Sequence, residues 1–159
     1  MLAQVEQAFG AAPVGPVALI GSSLGGFVAL HAAARLPVDR VILLAPAVDF
    51  GGNRLRQLGE HGIEEWRRTG RLTVFHYGAN ESREVGFELY EDAAKYDAFA
   101  RGLSVPILAF QGSRDESVDP ASVDRWAAGR PNVDLRRLDD GHQLTASMDH
   151  IWLESRKFL

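Results

Sequence analysis

Short apolar runs alternate along this chain with stretches patterned at helical spacing. Leu2, Val5 and Phe9 recur on one side of a helix, so the chain opens with a helix over Leu2–Phe9. A Gly/Pro-rich linker, Gly10–Gly15, leads to Pro16–Ile20, an apolar run of strand length. Gly26–Arg35 is rich in alanine and reads as a helix, which Leu36-Pro37 stops. Arg40–Ala45 is the second apolar strand, Val105–Phe110 the third and Val133–Leu138 the fourth. Pro120–Ala128 and Ala146–Phe158 carry helical patterns between and after them. Near-continuous apolar strands separated by helices predict an α/β fold, a parallel sheet covered on both faces.

The segment from about residue 49 to 101 breaks this rhythm. It is polar, with a helix expected around Glu64–Arg68 and a hairpin of Arg71–Tyr77 and Val85–Tyr90 about Gly78-Ala79-Asn80. A helix over Glu91–Ala100 returns to the sheet. The expectation is one domain over residues 1–159 with a lid-like insertion above the C-terminal edge of the sheet. Trp66, Phe75, Tyr77 and Tyr90 either shape an acyl pocket there or form the insertion's own small core.

Composition narrows the class. At 159 residues, 46% hydrophobic and 24% charged, the chain has ordinary globular composition. A formal net charge of −4 gives no electrostatic reason to expect nucleic acid as a partner. No apolar run approaches the roughly 18 residues of a membrane span. The N-terminus lacks the basic start and apolar core of a secretory signal, so a cytoplasmic location is expected. Cysteine is absent, which removes disulfides, thiolate metal ligands and a thiol nucleophile.

The chemistry concentrates after the strands. Gly21-Ser22-Ser23-Leu24-Gly25 matches Gly-x-Ser-x-Gly between a strand and a helix, the context in which that pattern means a nucleophile elbow. A serine hydroxyl needs a base to take its proton, and the base needs an orienting carboxylate. The third strand runs into a loop with Asp115, and the fourth into Asp139-Asp140-Gly141-His142. The order Ser23, Asp115, His142 is that of Ser-Asp-His hydrolases, and parallel strands deliver all three to one sheet edge. Ordinary roles exist beside these. Ser23 also suits a helix N-cap and Asp115 a turn, while Asp119 before Pro120 is the more usual cap. Asp139 and Asp140 stand too close to His142 in the chain to face it from another strand. His31 falls within a helix, His61 and His76 in the insertion and His150 in the last helix, with no metal-ligand spacing. No metal or other cofactor is expected.

These residues resemble the α/β-hydrolase superfamily, and more narrowly small bacterial esterases of the YqiA/YcfP type. The resemblance lies in Ile20–Gly26, Ala45–Val48, Gly112–Val118, Gly141-His142, Asp149–Ile151 and Phe158-Leu159, across roughly residues 14–50 and 103–159. It implies a serine esterase or thioesterase without cofactor, acting on a small or medium acyl substrate, with Ser23 as nucleophile, Asp115 as orienter and His142 as base. The Leu24 N–H supplies an oxyanion donor. Members of that family carry upstream strands, one ending in a loop that supplies the second donor; loss of one donor costs about 10²–10³ in rate. With the family's strand order, the Ser23 strand lies at the sheet edge, open to self-association or a second chain. Three alternatives therefore stand beside the esterase: a catalytically impaired binding module, an N-terminally truncated fragment, and an acyltransferase.

Overall fold

The computed structural model describes residues 1–50, 52–76, 81–100 and 102–159. In chain order the elements are α1 (Leu2–Gly10), β1 (Ala18–Ser22), α2 (Leu24–Ala33), β2 (Arg40–Leu44) and α3 (Gly52–Thr69). They continue with β3 (Arg71–His76), β4 (Glu81–Gly86), α4 (Glu88–Ala93), β5 (Ile107–Gly112), α5 (Pro120–Ala127), β6 (Val133–Leu138) and α6 (Met148–Phe158). They fall into two compact units, Met1–Asp49 with Ala98–Leu159, and Phe50–Asp97.

The larger unit is built on a parallel sheet ordered β1-β2-β5-β6. Its inner strands are the most apolar ones. Every residue of β5 is buried, as are Val41, Ile42 and Leu43 of β2. Alternation along the strands sends Ile42, Leu108 and Phe110 to one face, where Ile151 of α6 and Leu144 close over them. Fully burying each such side chain stabilises the fold by about 1.5–3 kcal/mol. Helix α2 packs against β1 and β2, and α5 against β5 and β6. The Asp119 carboxylate accepts the Ala121 N–H at 3.0 Å and Pro120 follows it, so α5 starts on the cap its sequence advertises.

Strand β1 is the edge strand. Among the described residues it pairs on the β2 side alone, and Ile20 is 61% exposed. No helix among the described residues is long and apolar enough to cross a membrane.

The smaller unit joins α3, the antiparallel pair β3–β4 and α4. Trp66, Phe87 and Tyr90 pack their rings 5.4–5.8 Å apart, and the Trp66 indole donates to the Val85 carbonyl at 3.0 Å. Trp66 and Tyr90 thus belong to this unit's own core, whereas Phe75 is half exposed. Tyr77 and the expected turn, Gly78-Ala79-Asn80, lie outside the described residues.

Several boundaries differ from the sequence reading. The second hairpin arm is Glu81–Gly86, not Val85–Tyr90, because Phe87 and Tyr90 stand three apart on a helical turn facing Trp66. Helix α4 ends at Ala93 instead of running to Ala100. Strands β1 and β5 extend two residues beyond their apolar runs. Ladder pairing carries Gly21 and Ser22 against Leu43 and Leu44, and Gln111 and Gly112 against Arg137 and Leu138.

Candidate active site

Ser23 occupies the single residue between β1 and α2, and the chain turns there at a backbone conformation unfavourable for a side chain (φ 51°, ψ −119°). Hydrogen bonds hold it in place. Its N–H donates to the Leu44 carbonyl at 2.9 Å, and its carbonyl accepts from Gly26 and Ala47, each at 3.0 Å. The turn needs glycines where backbones meet. A Cβ at Gly21 would lie 2.8 Å from the Gly26 Cα, and one at Gly26 would lie 2.9 Å from the Pro46 Cβ. Gly25 differs, since a Cβ there would meet nothing within 4 Å. It opens on an apolar groove lined by Val5, Ala8, Leu19, Ile20 and Val28. Leu24 begins α2, so its N–H is one of the helix-end donors without an acceptor inside the helix.

Asp115 sits in the loop after β5 and is buried. Its Oδ1 accepts the backbone N–H groups of Ser117 and Val118, both at 2.9 Å, and its Oδ2 accepts from the Gln111 amide at 2.8 Å. Burial pushes this carboxyl up. The His142 hydrogen bond, the Val118 N–H, the imidazole's charge and the Gln111 amide outweigh burial and hold it below its ordinary value.

His142 joins the two. Its Nδ1 lies 2.9 and 3.0 Å from the Asp115 oxygens, and its Nε2 lies 3.1 Å from the Ser23 Oγ. An ionised carboxylate only accepts, so Nδ1 carries the proton and a neutral Nε2 accepts from the serine hydroxyl. The structure brings Ser23, His142 and Asp115 into one hydrogen-bonded chain.

The loop that presents His142 is tied from several sides. The Asp140 carboxylate accepts the N–H of Gly141 at 2.7 Å and of Ser147 at 3.0 Å, and the Asp140 carbonyl accepts the Arg114 N–H at 3.0 Å. Burial raises the Asp140 carboxyl, but bonds from Gly141, Ser147 and Ala146 keep it below its ordinary value. Leu144, two residues past the histidine, takes a left-handed conformation (φ 54°) and plugs into the core. Gly112 makes room for this loop, because a Cβ there would stand 2.5 Å from the Asp140 carbonyl oxygen and 2.6 Å from that of Gly141.

Two participants carry no role in the sequence reading, which names Asp140 only to set it aside as the orienter of His142. Asp140 acts within its own loop, a role that Asp-Gly turn chemistry signals. Gln111 is a polar residue ending a strand that is otherwise apolar, and that mismatch was its signal. His31 is buried with its ring 4.5 Å from that of Phe27, and His61 and His150 are exposed. The side chain of His76 lies outside the described residues.

A model of the uncharacterised protein family UPF0227 matches residues 1–155. The chain belongs to that family. Its fold is that of the α/β-hydrolases. Alpha/beta hydrolase domain-containing protein 10 from mouse is similar at a TM-score of 0.81 and 23% identity, over 99% of this chain and 67% of that one. Est1E from Butyrivibrio proteoclasticus is similar at a TM-score of 0.68 and 21% identity, over 99% of this chain and 64% of that one. Among curated proteins, the AMB antimetabolite synthetase AmbE of Pseudomonas aeruginosa is 28% identical over 147 residues, 83% of this chain. The chain spans 7% of AmbE and about two thirds of the solved chains it resembles.

Proposed function

We propose that this chain is a serine hydrolase of small or medium carboxylic esters or thioesters. The observation that carries the reading is the continuous run of hydrogen bonds from Ser23 through His142 to Asp115. Ser23 Oγ attacks the acyl carbonyl carbon while His142 Nε2 takes the hydroxyl proton. The tetrahedral oxyanion meets the Leu24 N–H at the positive end of α2. As the acyl carbon–heteroatom bond breaks, His142 returns the proton to the departing alcohol or thiol. Water, deprotonated by the same imidazole, then releases the acid and frees Ser23. Asp115 keeps Nδ1 protonated and stabilises the imidazolium formed in each half.

A fluorophosphonate probe tests this directly. Labelling of the purified chain that disappears in Ser23→Ala supports an activated serine; a folded chain that stays unlabelled opposes it. Turnover of 4-nitrophenyl esters of graded acyl length then gives the acyl preference, and added alcohol or amine separates hydrolysis from acyl transfer by product.

The open side of β1 favours a second reading, a hydrolase-like module that turns over substrate only when another strand joins that edge. Under that reading the isolated chain folds, binds acyl compounds and reacts slowly with the probe.

A further inference from the structure

Strand β5 buries every one of its residues, and Gln111 is the one long polar side chain among them. Its amide nitrogen donates to Asp115 Oδ2 at 2.8 Å and to the Gly112 carbonyl at 3.2 Å. Its amide oxygen accepts no hydrogen bond from any described residue. A buried acceptor without a donor is destabilising, and an apolar side chain of similar size would avoid that cost. The amide therefore needs an explanation other than fold stability.

The distribution of donors around Asp115 supplies one. Among the described residues, the backbone N–H groups of Ser117 and Val118 bond Oδ1, and the Gln111 amide joins His142 on Oδ2. Without the amide, Oδ2 keeps only the imidazole that the carboxylate has to orient, and no described residue on the protein side opposes a turn about the Cβ–Cγ bond that takes Oδ2 away from His142. With the amide in place both oxygens are fixed, and they lie 2.9 and 3.0 Å from the imidazole Nδ1.

We propose that Gln111 is a positioning residue that locks the rotation of the Asp115 carboxylate so that both of its oxygens face His142. The proposal rests on the serine-hydrolase reading for its kinetic consequence, though not for its spectroscopic one. Gln111→Leu removes the donor and the orphaned acceptor together. Gln111→Glu keeps the shape and donates to Asp115 only when its own carboxyl is protonated.

The experiment compares these variants with the parent chain by steady-state hydrolysis of a short 4-nitrophenyl ester, thermal melting, and the far-downfield proton NMR signal of the hydrogen-bonded His142 Nδ1–H. In Gln111→Leu, kcat falls about tenfold to a hundredfold with KM unchanged. Its melting temperature is unchanged or higher, and the Nδ1–H signal broadens or moves upfield. In Gln111→Glu, activity relative to the parent rises as pH is lowered. A Gln111→Leu chain with parental kcat and an unmoved signal overturns the proposal. So does one whose kcat and melting temperature fall together while the signal stays in place, since that assigns Gln111 to packing. If Gln111→Leu does not fold, the pH dependence of Gln111→Glu decides, and a ratio flat with pH overturns it. If the parent chain neither labels with fluorophosphonate nor hydrolyses the ester, the hydrolase reading fails separately, and the Nδ1–H signal still decides the role of Gln111.

Discussion

The imidazole of His142 lies 3.1 Å from the hydroxyl of Ser23, although 119 residues separate them in the chain and β6 and β1 stand at opposite edges of the sheet. Three strand spacings of about 4.8 Å put those edges roughly 14 Å apart. The histidine loop spans the distance by folding back over the end of β5, where Arg114 bonds Asp140 and Gly112 lets the backbones touch. The contact is thus built by a loop leaning across the sheet.

Under the proposed mechanism, Ser23→Ala and His142→Ala each lower turnover by about 10⁴-fold or more, and Asp115→Asn by about 10⁴-fold. Combining them adds little further, because the three act as one unit. Ester hydrolysis under single-turnover conditions measures this, and near-additive losses oppose a shared role.

The backbone at Ser23 carries a cost that glycine does not. Ser23→Ala and Ser23→Gly both remove the hydroxyl, so their difference isolates the φ of 51°. The glycine variant is expected to be more stable than the alanine variant by about 1–2 kcal/mol in urea titration. Equal midpoints contradict a strained turn.

Gly112→Ala places a methyl group against the carbonyls of Asp140 and Gly141. Stability falls by about 1–3 kcal/mol, and activity falls further than that loss explains because the histidine is displaced. Chemical denaturation alongside kinetics checks both halves. An active, fully stable variant contradicts the close approach.

Acid should act through Asp115. Its folded carboxyl titrates below the ordinary value of 3.8, so the unfolded chain takes up the proton first as pH falls. The stabilisation is present above that value and is lost as pH drops through the lowered folded value. Asp115→Asn flattens this part of the stability-versus-pH curve, and Asp140→Asn removes a contribution of the same sign. Identical acid limbs in parent and Asp115→Asn contradict the assignment.

The open edge of β1 predicts concentration-dependent association. Size-exclusion chromatography at rising concentration is expected to show it, and Ile20→Lys, which puts a charge beside that edge, is expected to reduce it. A monomer at every concentration contradicts this.

Much of the fold was legible because β2, β5 and the segments around them are patterned by burial, and burial is written in residue type. The meeting of Ser23, Asp115 and His142 was legible for a topological reason: parallel strands end on the same side. What pattern could not reveal was structure made by hydrogen bonding alone. Strand β4 is polar along most of its length and is a strand because β3 pairs with it. The service that Gln111 and Asp140 perform depends on which donors two separate loops bring to them, and no periodicity records that.

Of the motif's glycines, the one at position 25 leaves room for a methyl group among the described residues. An alanine there clashes with nothing and adds helix propensity to α2, so the isolated protein's melting should hold or rise slightly, while alanine at 21 or 26 should lower it. That makes residue 25 a built-in reporter: whatever comes to lie along the neighbouring groove, a methyl at that point will register its arrival as a new penalty.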